Sequence, residues 1–407
     1  MYKKRRKNLN KNLEENSMVV VFSGKAPRKS EDNFYKFHSN RNFFYLTGIN
    51  RENFIYICNN TDQSEEVLFI QKPNEKTEKW FGRYLKEEEA KEISQIENIK
   101  YNEELTNYLV SILKDKDIDN VYLDIKNWEI DEPLTLSQKI SKVLTEKYPH
   151  IKIKNLNKKL ENLRLIKDEN EIKATQKAID ITKEAIKNMM IKSKEGMYEY
   201  EIEANYNYIL GINGVTTSFD TIAASGENAV ILHYIDNSCK TKKDDLILCD
   251  LGVRYKEYNS DITRTFPVNG KFTDRQKEVY KVVLDANKEV IKSTKPGMTL
   301  TDLNEIAKKV LYEGCKKLGL IDKKEELSKY YYHSVSHFLG LDVHDVGGKK
   351  IKFEKDMLIT VEPGLYIEEE GIGIRIEDNI LITKDKAKNL SKKIVKEIKD
   401  IEDLMKK

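Results

Sequence analysis

Four carboxylates stand where a carboxylate is costly. Asp250 follows the apolar run Leu246-Ile247-Leu248-Cys249, and Glu362 follows Leu358-Ile359-Thr360-Val361 just before Pro363-Gly364. Asp261 opens the alternating stretch Ile262-Thr263-Arg264-Thr265-Phe266, and Glu377 closes Ile372-Gly373-Ile374-Arg375-Ile376. Aspartate is depleted in strands, and an ionised carboxylate in an apolar setting destabilises a fold unless a partner offsets its desolvation. Asp250 and Asp261 are separated by the hairpin-length Tyr255–Asn259, so they can lie side by side on antiparallel strands. Two adjacent anions there repel unless a cation joins them.

Histidines sharpen the pattern. Three of the six, His333, His337 and His344, fall in Tyr332–Asp345, and a fourth, His233, follows Ser225-Gly226-Glu227-Asn228. We read Asp250, Asp261, His337, Glu362 and Glu377 as converging on two divalent ions. Carboxylates bridge such ions about 3.5–4 Å apart, and a water or hydroxide held between them attacks a carbonyl at neutral pH. Mostly oxygen ligands with one imidazole favour a hard ion, Mn²⁺ first, with Co²⁺, Fe²⁺ and Zn²⁺ also compatible. The chemistry implied is hydrolysis. Other motifs fail on spacing or context. Ser334 follows His333, which rules out the HExxH zinc pattern. Gly371-Ile372-Gly373 precedes a strand rather than the helix of a dinucleotide loop. Ser23-Gly24-Lys25 lacks the Gly a Walker loop requires, and no GxSxG elbow is present.

Such a site needs strands to carry the acids and helices to cover them. A chain of 407 residues predicts more than one domain. Its 39% hydrophobic content is arranged in periodic clusters. Strand-like runs at Ser17–Ser23, Asn53–Cys58, Glu66–Gln71 and Val121–Asp124 alternate with helical stretches at Thr77–Ser94 and Leu134–Tyr148. That alternation predicts an α/β first domain over 1–158, ending in the Lys- and Asn-rich stretch 151–162. The second domain, 159–407, opens with a capping box, Asp168 as N-cap and Glu171 three residues on. Helices are expected over Tyr198–Asn213, Phe272–Thr294 and Thr299–Leu318. Strands are expected over Thr221–Ser225, Leu246–Val253 and Asp261–Pro267, and from His333 onward they return through Met357–Glu362, Leu365–Ile367 and Gly373–Ile382. Two helix pairs with associated strands hint at two related halves.

With 71 basic residues against 68 acidic, the net charge of +3 gives no electrostatic case for nucleic acid. The basic run Lys3–Lys7 reads as the solvated face of a first helix. Nothing approaches the roughly 20 apolar residues of a membrane span. Four scattered cysteines, Cys58, Cys239, Cys249 and Cys315, with no CxxC pair, suit a reducing cytoplasm.

Residues 163–390 resemble the pita-bread metallopeptidases, and among them the aminopeptidase P (Xaa-Pro aminopeptidase) family. The resemblance rests on Ser225-Gly226-Glu227-Asn228 with Leu232-His233-Tyr234, on Asp261–Phe272, on His333–Asp345, on Thr360-Val361-Glu362-Pro363-Gly364-Leu365-Tyr366, and on Gly371–Asp378. Asn42–Gly48 and Trp80-Phe81-Gly82-Arg83 extend it to that family's creatinase-like first domain. The resemblance implies that Asp250 chelates one metal, that Asp261 and Glu377 bridge both, and that His337 and Glu362 complete the second. It implies that Glu362 also orients the bridging hydroxide and takes its proton. His344 and His233 would stabilise the oxyanion or hold the peptide. His333 and Arg375 would line the pocket for the residue after the scissile bond.

The implied substrate is a peptide with proline second, the implied cofactor two Mn²⁺ ions, and the implied assembly a homodimer or homotetramer. An Xaa-Pro dipeptidase of the same fold is the nearest rival. Non-catalytic peptide-binding relatives typically lack metal ligands, whereas this chain keeps the whole set. One position departs from the family: some aminopeptidases carry tyrosine where Phe219 precedes Asp220 and Thr221.

Overall fold

The computed structural model describes residues 1–62, 64–127 and 129–406. Two compact units emerge, Met1–Arg164 and Leu165–Lys407. The helix Asn157–Leu165 runs across residues 158 and 159.

The first unit is built on a six-stranded mixed sheet. Its order is Asn98–Tyr101, Glu66–Ile70, Ile55–Asn60, Ser17–Phe22, Asn120–Leu123, Lys152–Asn155. Met18, Val20, Ile57, Phe69 and Val121 share one buried cluster, and Val19 and Val21 of the same strand are equally buried. A strand buried on both faces reads as a continuous apolar run, which is why Met18–Phe22 shows no alternation. The α/β expectation therefore holds, with three local differences. Thr77–Ser94 is two helices, Glu75–Phe81 and Glu87–Ser94, because Gly82 leaves the helix at φ +90°. The Lys- and Asn-rich stretch 151–162, where the first domain is expected to end, is itself structured, with the strand Lys152–Asn155 and the start of a helix. Arg5 and Arg6 are buried rather than solvated. Arg6 pairs with Glu66 at 2.7 Å and donates to the carbonyls of Leu46, Ser94 and Gln95. A guanidinium's fixed fork of donors lets one buried cation close several carbonyl ends at once.

The second unit repeats an order of two packed helices followed by a sheet. Glu169–Lys192 and Glu199–Ile212 precede the sheet Ile262–Pro267, Leu246–Leu251, Ile222–Ser225. Asp274–Ser293 and Leu300–Lys317 precede the sheet Leu358–Val361, Asp378–Ile382, Ala387–Asn389 and the hairpin Gly364–Ile367 with Ile372–Arg375. The expected capping box forms: Asp168 Oδ1 accepts from the N–H groups of Asn170 and Glu171, and Glu171 Oε2 accepts from Asp168 N–H at 2.9 Å. Between His333 and Met357 the chain runs without a strand of its own. It runs beside Leu358–Val361 through one bridge, Phe338 to Ile359, and bonds such as Thr360 N–H to the His337 carbonyl at 2.9 Å. Among the described residues no helix is long and apolar enough to cross a membrane.

A buried ionic network stands behind the two sheets. Arg264 donates to Asp378 Oδ1 at 2.8 Å and to the carbonyls of Thr263, Ile394 and Val395, while Lys396 Nζ reaches Asp378 Oδ2 at 2.5 Å. Removing one partner of such a group strands a buried charge. Arg264→Met should therefore destabilise this unit by about 3–5 kcal/mol, measurable as a lowered midpoint in urea. An unchanged midpoint would show that the network contributes nothing net.

Candidate active site

All nine residues singled out in the sequence line one cleft of about 910 Å³: His233, Asp250, Asp261, His333, His337, His344, Glu362, Arg375 and Glu377. Strand register explains the acids. Asp250 pairs with Thr263 across the antiparallel ladder. Asp261, two residues before Thr263, thus shares that face on the diagonal. Asp261 immediately precedes its strand, Glu362 immediately follows Leu358–Val361, and Glu377 sits in the break between Ile372–Arg375 and Asp378–Ile382. The expected single strand Gly373–Ile382 is divided there. Free of ladder pairing at these ends, the side chains converge.

The backbone at each end is fastened separately. Asn379 Nδ2 donates to the Asp261 carbonyl at 2.6 Å, and Glu377 N–H donates to the Thr263 carbonyl at 3.0 Å. Asn287, fully buried, donates from Nδ2 to the carbonyls of Val361 and Ile376 at 3.1 Å each. Those carbonyls directly precede Glu362 and Glu377, so one amide staples both acids. Gly252 is needed for close approach: a Cβ there would lie 1.9 Å from the Ser260 carbonyl oxygen, between the Asp250 and Asp261 strands.

His337 faces the acids. Its Nε2 is 3.3 Å from Asp261 Oδ2 and 3.5 Å from Glu362 Oε1, and its Nδ1 is 3.0 Å from the Phe338 carbonyl. Asp261, His337 and Glu377 form the tightest potential metal-holding group among the described residues, with ligand atoms within 4.8 Å of one another. His333 takes a different place. Its Nδ1 is 3.8 Å from Glu362 Oε2, and its Nε2 meets the Tyr366 hydroxyl at 2.9 Å. His344 packs edge-on against His337 with ring centroids 4.3 Å apart, and is itself exposed. His233 is exposed in the loop after Ser225. Arg375 donates to Asp250 Oδ2 at 2.7 Å, to Thr263 Oγ1 at 3.1 Å and to the Tyr366 hydroxyl at 2.9 Å. Thr263 in turn donates to Glu377 Oε2 at 2.9 Å.

Charge is unbalanced here. Burial raises the pKa of Asp261, with the charge of Asp250 adding and His337 opposing. Burial carries Glu362 up to about 7 against the pull of His337 and Arg375. Burial, then Asp261, Glu362 and Asp250, lift Glu377 well above the carboxylate range. Burial opposes a charged His337, but the hydrogen bond to Asp261 and the charges of Glu362 and Asp261 outweigh it and raise the imidazole to about 9. Burial lowers His333 to about 4, with the charge of Arg375 next; His344, solvent-exposed at the cleft mouth but partly desolvated by its walls, is lowered to about 4 as well, with the charge of His337 next. Two carboxylate oxygens, Asp250 Oδ1 and Glu377 Oε1, are buried with no hydrogen-bond partner. Buried polar atoms are normally satisfied. Orphaned anionic oxygens on a surplus of negative charge suit divalent cations, and the donor set of four carboxylates and one imidazole matches a hard ion.

Two residues in this arrangement received no role from the sequence. Thr263 joins Glu377 to Arg375, and Tyr366 joins Arg375 to His333. The alternation of Asp261, Thr263 and Thr265 on one strand face was the available signal for the first. Tyr366 offered only its nearness to Glu362.

Comparison with known proteins gives the family. Residues 173–384 match the model of metallopeptidase family M24, and residues 2–122 match that of the aminopeptidase P N-terminal domain. Xaa-Pro aminopeptidase of Escherichia coli is 33% identical over 99% of this chain and 97% of its own. A solved Bacillus anthracis structure assigned to aminopeptidase P superposes with a TM-score of 0.98 at 45% identity, covering 99% of this chain and 97% of that one. Xaa-Pro dipeptidase of Pyrococcus furiosus is 32% identical over 96% of this chain and 98% of its own. The chain thus pairs an aminopeptidase P first domain with a pita-bread domain, and it belongs to the aminopeptidase P family of the M24 metallopeptidases, which are hydrolases.

Proposed function

We propose that this protein is an Xaa-Pro aminopeptidase that removes the N-terminal residue from peptides with proline second. In this reading Asp250, Asp261, His337, Glu362 and Glu377 hold two divalent ions, Mn²⁺ first among them. The observation that carries it is the pair of partnerless buried oxygens on Asp250 and Glu377, turned into a cluster of acids in a peptide-sized cleft. When bound, the ions supply Lewis acidity and a water of lowered pKa. Glu362 takes the proton of the attacking water and delivers it to the leaving proline nitrogen. Its oxygens lie 3.5 Å from His337 Nε2 and 3.8 Å from His333 Nδ1. His344 and His233 donate to the carbonyl oxygen and peptide as charge develops. Arg375, fixed by Asp250, Thr263 and Tyr366, lines the pocket after the scissile bond together with His333. Proline has no N–H and a fixed φ, so a rigid pocket for its ring discriminates by shape. The free cysteines fit a cytoplasmic enzyme, and a homodimer or homotetramer is the expected assembly.

A second reading, an Xaa-Pro dipeptidase, is favoured by the near-full-length similarity to the archaeal dipeptidase. Peptide length separates the two. With Mn²⁺ present, Arg-Pro-Pro should be cleaved with kcat/KM about a hundredfold or more above Arg-Ala-Ala. Equal rates on the two tripeptides would contradict the proline preference. Cleavage of Gly-Pro with no release from Arg-Pro-Pro would assign the dipeptidase instead.

A further inference from the structure

The helix Glu199–Ile212 opens on a carboxylate with no exposed surface. Five donors converge on it. Ser225 N–H, the Ser225 hydroxyl and Asn228 Nδ2 donate to Oε1 at 2.7, 2.7 and 2.9 Å. The Tyr234 hydroxyl and Cys239 N–H donate to Oε2 at 2.7 and 2.9 Å. Glu199 N–H returns a bond to the Cys239 carbonyl at 2.9 Å. Every donor lies in residues 225–239, and the donors flank His233 on both sides, Tyr234 directly. One helical turn on, Glu203 Oε2 accepts from Asn237 Nδ2 at 2.9 Å, and Asn237 closes the same segment onto Ala223 N–H and the Thr221 carbonyl.

A wholly buried carboxylate is retained only where hydrogen bonds replace its hydration, and charge-assisted bonds are the strong ones. Here all of them come from Ser225, the last residue of its strand, and from the segment that follows, and that segment presents the exposed His233 to the cleft. We propose that Glu199 is a positioning residue for the reaction, fixing the 225–239 segment so that His233 meets the substrate. The inference rests on the substrate role given to His233 above.

Glutamine at this position cannot reproduce the pattern. With its oxygen toward Ser225 and Asn228, its NH₂ faces Cys239 N–H, donor against donor; turned over, it faces Ser225 N–H, which cannot reverse, although the Ser225 hydroxyl and the Asn228 amide can. The experiment is a double-mutant cycle on kcat/KM for Arg-Pro-Pro, with Glu199→Gln, His233→Ala and the pair, in Mn²⁺-loaded enzyme. Metal content is measured in parallel. A displaced catalytic contact lowers the rate by about ten- to a hundredfold. We expect Glu199→Gln to do so at unchanged metal content, and to lose nearly all of that effect when His233 is already alanine. A wild-type rate for Glu199→Gln, or an equal further loss in the His233→Ala background, would overturn the proposal. If His233→Ala alone left the rate unchanged, the role of His233 would fall and this inference with it, while the metal-site reading would stand. Should Glu199→Gln not fold, Tyr234→Phe, which removes one donor beside His233, is read by the same cycle and criteria.

Discussion

Glu362→Gln should lose about 10³-fold or more in kcat at saturating Mn²⁺ while the protein stays folded, since general acid–base groups contribute on that order. The substitution keeps side-chain volume and one carbonyl oxygen toward His337, but it removes the proton acceptor. It also removes one of four crowded acids, whose burial and mutual charges already lift Glu362 to about 7. The metal-free variant should therefore be at least as stable as wild type, because less uncompensated charge is buried. Steady-state kinetics, metal analysis and a thermal melt on the same preparation check all three parts. A kcat near wild type would refute the proton-transfer role.

His337→Ala and His344→Ala should part company although the two rings touch at 4.3 Å between centroids. His337 Nε2 points at Asp261 and Glu362. Its removal should weaken Mn²⁺ binding by at least about a hundredfold, beyond the 10–100-fold typical of groups one shell further out. His344 makes no such approach to the acids. Its loss should leave metal binding within about threefold of wild type and lower kcat by about 10²-fold, the scale of one lost donor to a developing oxyanion. Titration calorimetry with Mn²⁺ beside kinetics at saturating metal separates the two effects. Metal loss in His344→Ala with retention in His337→Ala would invert the assignment.

The acids were legible in the sequence because each violates its surroundings. Asp250 and Glu362 end runs of apolar residues, and a chain tolerates that only for a reason. No such violation marks the histidines: local spacing does not separate His337 from His333 and His344. What separates them is the backbone pairing of residues 335–339 along Leu358–Val361, a long-range contact that no local pattern encodes. The bonds that rigidify the site were hidden for the same reason. Asn287 lies on a helix face that reads as ordinary core, yet its amide holds the carbonyls of Val361 and Ile376. Arg6 sits in a basic run that resembles a solvated face, and only the folded positions of Glu66, Leu46 and Ser94 bury it. Proline preference was not legible in residue chemistry at all, because it depends on the shape of a pocket assembled from distant strands.

In the proposed enzyme, strand-end acids and one histidine hold a pair of metal ions in the cleft. Anomalous diffraction from crystals grown with Mn²⁺, recorded near the manganese edge, tests it most directly. Two peaks per chain are expected, one contacting Asp250, Asp261 and Glu377 and the other contacting Asp261, His337, Glu362 and Glu377. A single peak, or none among these residues, would contradict it.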